Sequence, residues 1–179
     1  MGLGGLIVVR ESRVYPLIRR AFEVLTVGGL SAQQYGSGPA GARCGDTAMG
    51  LDVAKQLVEA AMRLPVQQHL AVMCVVFTDD IRRGEACWRE IGYFVEAEIG
   101  PTKCRWGRFG VEYFTRYWMR RDGSFREFEA ICEDADWQAV RRWYLRTVDA
   151  VMTRWCVMAE SELERLCDRL VPKVVEFCA

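Results

Sequence analysis

Lysine is almost missing from this chain of 179 residues: of 24 basic side chains only Lys55, Lys103 and Lys173 are lysines, and the other 21 are arginines. Guanidinium groups suit planar, two-pronged contacts with phosphate or carboxylate, although a GC-rich genome that favours arginine codons accounts for the same bias. Histidine is rarer still, His69 alone, and no two of the eight cysteines form a C-x-x-C pair, so neighbouring residues assemble no zinc site. Net charge is absent too. With 24 acidic residues against 24 basic ones, no global field draws the chain to DNA, RNA or an acidic membrane, and any such binding must come from a local patch. The longest apolar run, LAVMCVVF at 70–77, falls far short of the roughly 20 residues that cross a bilayer, so no membrane partner is expected. Leu6 stands where a myristoylation motif needs Ser or Thr. G-x-S-x-G, H-E-x-x-H and phosphate-binding G-K-[ST] motifs are absent as well, and the expectation is a protein that is not an enzyme and carries no cofactor and no metal.

What is present is enough apolar residue, 51%, to build a core without staples. The cysteines at 44, 74, 87, 104, 132, 156, 167 and 178 include several on apolar faces of expected helices; with no signal peptide they read as reduced thiols in a cytoplasmic protein. The pattern predicts an all-α fold: one mostly helical domain over 1–179, with a subdivision at 1–100 and 101–179 as the variant reading.

Residues 5–27 combine a strand-like LIVVR with a helix-like PLIRRAFEVL, in which Pro16 fits a first helical turn. A Gly-rich loop is expected at 28–46; its G-x-G-x-x-G (Gly36, Gly38, Gly41) lacks the preceding strand and following helix that a dinucleotide site needs. Asp46 or Thr47 then caps a helix with Leu51, Ala54, Leu57, Val58, Ala61 and Leu64 at helical period, and Pro65 opens the next. One short helix is expected within 79–100, closed by Gly100-Pro101. His69, without a catalytic neighbour, reads as a surface or half-buried side chain.

From 103 the chain turns basic and aromatic. Lys103, Arg105, Arg108, Arg116, Arg120 and Arg121 alternate with Trp106, Phe109, Tyr113, Phe114, Tyr117 and Trp118. Such interleaving suits a stacking platform for a single strand, but the three-four spacing of Trp106, Phe109, Tyr113 and Tyr117 favours a buried stripe. A helix-turn-helix-like pair is expected near 124–155. Ser124 and Glu127 form a capping box, EDAD the turn, and Asp136 the cap of one continuous helix carrying Val140, Trp143, Tyr144, Thr147, Val148, Val151, Met152 and Trp155 on its inner face. Gln138, Arg141, Arg142 and Arg146 fall opposite, placed to reach base edges and phosphates, and Arg120, Arg121 and Arg126 extend that candidate nucleic-acid-binding set. In the C-terminal helix Leu163, Leu166, Leu170, Val174 and Phe177 form a stripe interrupted by Pro172; docking onto the body is preferred over pairing with a second copy as a dimer.

Two stretches, DTAMGLDVAKQLVEAAMRLPVQQHLAVMCVVF (46–77) and RYWMRRDGSFREFEAICEDADWQAVRRWYLRTVDAV (116–151), resemble the helical lead-in and the sigma-factor-like helix-turn-helix of phage late-gene antitermination proteins of the Q type. The resemblance implies DNA binding near a promoter, contact with RNA polymerase and passage through terminators. The turn differs from the family's in lacking glycine and in carrying Glu133, Asp134 and Asp136. The leading expectation is therefore a nucleic-acid-binding transcription regulator. The competing one is an inhibitor or adaptor that docks a protein through an Arg/aromatic surface. A magnesium enzyme, with Glu133 and Asp136 as an E-x-x-D motif, ranks last because an upstream acidic motif is missing.

Overall fold

The structure is a computed structural model that describes residues 12–34 and 49–170, without the side chains of 27–34 and 81–85. Every regular element in that range is an α-helix, as the apolar spacing predicts: α1 Val14–Gln34, α2 Leu51–Arg63, α3 Val66–Val76, α4 Ile81–Ile99, α5 Gly107–Arg120, α6 Phe125–Ile131, α7 Trp137–Arg146 and α8 Val148–Leu170. None of them is long and apolar enough to cross a membrane.

The longest of them, α8, is the strut. Val148, Val151, Met152, Trp155, Cys156, Ala159, Leu163 and Cys167 recur every three or four residues and are all buried. A stripe of that width lets one helix face many partners, and α8 packs against α1, α2, α3, α4, α5 and α7. Leu163 is thus covered by the body of its own chain. Tyr15 on α1 is buried with its hydroxyl donating to the Cys156 carbonyl at 3.1 Å, which pins the first helix to the strut. Exposed ion pairs from Arg13 to Glu164 and Asp168 edge the same junction, and one from Arg19 to Asp79 joins α1 to the turn after α3; all add little to stability in water.

A second cluster forms where α5 meets α6 and α7. Phe128 is fully buried, with the rings of Phe114, Tyr113, Phe109 and Trp106 at 4.8, 5.0, 5.7 and 5.7 Å. Gly110 permits the close approach of Trp106, because a Cβ there would lie 2.8 Å from the Trp106 Cβ. Helix ends follow local chemistry: Ser124 Oγ accepts the Glu127 N–H at 3.1 Å, Asp136 Oδ2 accepts the Ala139 N–H at 2.8 Å, and Gly100 leaves α4 at φ 79°, a conformation natural only to glycine.

Several expectations need correction. Of the loop expected at 28–46, residues 28–34 are helix instead, because α1 runs on through Gly28 and Gly29 to Gln34, and 35–46 lie outside the described residues; two glycines cost a helix about 1 kcal/mol each, which packing against α2 offsets. Pro16 does sit in the first turn of α1. The strand-like 5–11, the glycine motif at 36–41 and the caps proposed at Asp46 or Thr47 lie outside the described residues; α2 starts from Gly50 with no side-chain cap. The helix expected to be short within 79–100 has 19 residues. On α5 the deeply buried face is Val111, Phe114, Thr115, Trp118 and Met119, while Trp106, Tyr113 and Tyr117 are half-buried and Phe109 is 50% exposed. The helix expected to continue past Thr147 breaks there, at φ −121° and ψ −89°. The capping box is half formed: the Ser124 N–H donates to the Tyr113 hydroxyl, not to Glu127. Val174 and Phe177 lie beyond the described residues.

Two predictions follow from the packing. Phe128→Ala removes the ring on which four others rest and should cost about 3–5 kcal/mol, read from urea unfolding; a loss under about 1 kcal/mol would show that the cluster is peripheral. Burial lifts the Asp149 carboxyl above its usual range, against the opposing effects of the Tyr144 hydroxyl, which donates to it at 3.4 Å, and of Arg121. The folded value therefore exceeds the unfolded one, about 3.9, so the native state binds this proton more tightly and loses stability as pH climbs from about 4 through the folded pKa. Asp149→Asn keeps an acceptor for Tyr144 without the charge. Its stability relative to the parent should rise across that pH window, and a pH-independent difference would refute the assignment.

Candidate functional site

The two buried residues of α7, Val140 and Tyr144, fix which side of that short helix faces inward. One step round, Ala139, Arg142, Trp143, Arg146 and Thr147 form one wall of a groove of about 530 Å³ whose other wall is Lys103 and Arg105. Those two come from the connector between α4 and α5. There Gly100 and Pro101 turn the chain, the Lys103 N–H donates to the Gly100 carbonyl at 3.2 Å and the Arg105 N–H to the Lys103 carbonyl at 3.0 Å. The Trp143 indole N–H donates to that same Lys103 carbonyl at 2.6 Å, tying the walls together across 40 residues of sequence. Trp143 also meets Trp106 edge-on, centroids 5.1 Å apart at 86°.

Lys103, Arg105, Arg142 and Arg146 are all exposed, and no carboxylate lines the groove. Among the described residues none of the four makes an ion pair, whereas Arg13, Arg19, Arg108 and Arg154 each do. Four like charges around one concavity repel one another, so the arrangement favours an anion between them. Arg146, in the last turn of α7, also lies at the negative end of the helix dipole, which suits one arginine but does not explain the connector cations.

The candidate set proposed from sequence separates in space. Arg142 and Arg146 enter the groove. Gln138 and Arg141 are exposed on α7 but are not among its lining residues, and Arg141 projects about 100° round the helix from Arg142. Arg126, on α6, stands over the Trp137 ring at 5.8 Å. Arg121, just past α5 at φ 60°, lies over the Tyr117 ring at 5.2 Å, and Arg120 is part-buried and reaches the Asp80 carbonyl. Arg120 and Arg121 thus lie against α5 and outside the lining of the groove. Lys103 and Arg105, which the sequence marked only as the start of a basic stretch, complete the site.

The acidic turn is occupied locally. Asp136 caps α7 and Glu129 accepts the Trp137 N–H at 3.2 Å, while Glu133 and Asp134 are exposed. His69 Nδ1 lies 2.8 Å from the Ala61 carbonyl, a structural contact. Burial pushes the Cys156 thiol up to about 12 and the Cys167 thiol up to about 11, and raises Cys74 as well, which makes these thiols poor nucleophiles and poor metal ligands. Among the described residues no three His, Cys, Asp or Glu side chains gather where they could hold a metal.

Neither protein-family models nor curated proteins nor solved structures show a match to this chain.

Because Arg142 and Arg146, unlike Arg105 over the Trp106 ring, make no ion pair or ring contact among the described residues, the double substitution Arg142→Ala/Arg146→Ala should leave stability within about 0.5 kcal/mol of the parent in urea unfolding. A larger loss would mean that these arginines hold the fold.

Proposed function

We propose that this chain is a nucleic-acid-binding protein whose phosphate contacts are made in the groove between α7 and the α4–α5 connector. The observation that carries the reading is the convergence of Lys103, Arg105, Arg142 and Arg146, exposed and without ion pairs among the described residues, in a molecule whose total charge is zero. Phosphodiesters are the polyanions that guanidinium forks fit in bidentate fashion, and several cations in one groove match a repeating charge better than a single carboxylate. The role is binding rather than catalysis. Regulation of transcription near a promoter, with RNA polymerase as partner and antitermination as outcome, is the finer proposal; it draws on the resemblance of 46–77 and 116–151 to the Q-type family.

A second reading has its own support. Arg108 lies 3.3 Å over the exposed Tyr93 ring and is neutralised by Glu112 at 2.6 Å, beside half-exposed Phe109. That aromatic surface, with its charge already balanced, suits a protein partner. A protein that copurifies without nucleic-acid absorbance would favour it.

The groove reading is tested by salt. Four phosphate contacts give a slope of log affinity against log salt of about −3.6 on duplex or about −2.8 on a single strand, and Arg142→Ala/Arg146→Ala should halve it. An unchanged slope in the variant would place the binding elsewhere.

A further inference from the structure

The groove has a feature that phosphate binding alone does not use. Trp143 lies within it, half-buried, with its only polar atom already bonded to the Lys103 carbonyl and with Trp106 and Phe114 both meeting it edge-on. What remains of the indole is flat, apolar and ringed by cations. We infer that the ligand is a single-stranded nucleic acid, one base of which stacks on Trp143 while Lys103, Arg105, Arg142 and Arg146 hold the adjacent phosphates. This rests on the nucleic-acid reading above and specifies its ligand.

The placement of charge argues against a duplex. A recognition helix enters the major groove with its N-terminal residues leading, between two phosphate backbones. The N-terminal approach to α7 carries Glu133 and Asp134 in water and the capping carboxylate of Asp136, so that end would press acids against phosphates. The cations sit at the other end. From Asp136 to Arg142 and Arg146 is about 9 and about 15 Å along the axis, against a screening length of roughly 8 Å at physiological salt, so the acids scarcely weaken the Arg146 end of the groove. The cations also converge from two walls into a concavity of about 530 Å³, in the range of ligand pockets, which a phosphodiester and its base can enter and a double helix cannot. A basic groove with an aromatic surface is how single strands are held without base pairing, the stack supplying affinity that any base can satisfy.

The test uses the full chain and fluorescence anisotropy with four ligands: a labelled single-stranded DNA, the RNA of the same sequence, the duplex, and the same DNA strand with abasic sites. Either single strand should bind at least about tenfold tighter than the duplex, and abasic sites, which keep every phosphate, should cost about tenfold or more. The DNA and RNA arms show which backbone is preferred. Trp143→Leu should abolish the preference for the intact over the abasic strand, while Trp143→Phe, which equally lacks the bond to the Lys103 carbonyl but keeps an aromatic face, should retain that preference. Should the leucine variant fail to fold, the abasic comparison on the parent decides alone. Equal binding of duplex and strand, weakened alike by Arg142→Ala/Arg146→Ala, would overturn the single-strand inference and leave the groove reading intact. Competition by polyglutamate as effective as by the strand, or no retention of any nucleic acid, would overturn both.

Discussion

The break at Thr147 is the constraint from which the site follows. Apolar residues continue at helical spacing on both sides of it, and an unbroken helix would carry α7 straight on from the end of α8, away from the connector. Leaving helical geometry at one residue opens backbone groups that must find partners. The Thr147 hydroxyl donates to the Trp143 carbonyl at 2.6 Å and the Thr147 N–H to the Tyr144 carbonyl at 3.3 Å, while the Thr147 carbonyl accepts the Val151 N–H at 2.9 Å. The bend thus leaves its own polar groups satisfied. Trp143 can then reach the Lys103 carbonyl, and without that bond the two walls of the groove have no polar tie.

Aromatic packing and surface charge divide the labour. The rings of Trp106, Phe114, Phe128, Trp143 and Tyr144 hold α5, α6 and α7 together through edge-on and tilted contacts between 4.8 and 5.9 Å, and such pairs add to the area they bury. The side chains that decide the fold at this corner are therefore apolar, and the arginines are left without a structural task. Arg108 and Arg154 are exceptions, each ion-paired to a neighbouring helix, and so are Arg105, Arg121 and Arg126 over aromatic rings and Arg120 on the Asp80 carbonyl.

Local chemistry was legible in the sequence, and long-range chemistry was not. Ser124 and Asp136 were recognisable as caps because a cap is written within four residues, and Gly100 as an end because glycine readily takes its backbone angles. The face of α5 was misassigned for a definite reason: aromatics surround that helix, one side meeting α4 and α8 and another meeting α6, so a single-stripe rule selected the shallower of two buried sides. The break at Thr147 left no trace because the apolar period runs through it. Arg142 and Arg146 were found as exposed cations on α7, but their partnership with Lys103 and Arg105 spans some 40 residues and depends on the indole bond, which no spacing reveals. Arg120 and Arg121 lie close to the α7 group in sequence and outside the groove in space.

The same short helix explains why a neutral chain can offer a cationic site. Along α7 the charges are sorted, acids at the capped N-terminus and arginines toward the C-terminus, as the helix dipole favours at both ends. Sorting by the dipole alone would leave two arginines on a convex surface, weakly attractive and screened over roughly 8 Å at physiological salt. The connector changes this by placing Lys103 and Arg105 opposite them, so that the field of four cations adds within a concavity instead of dispersing outward. Global neutrality then suppresses indiscriminate attraction to polyanions, and only a ligand slim enough to enter the groove experiences the full local charge.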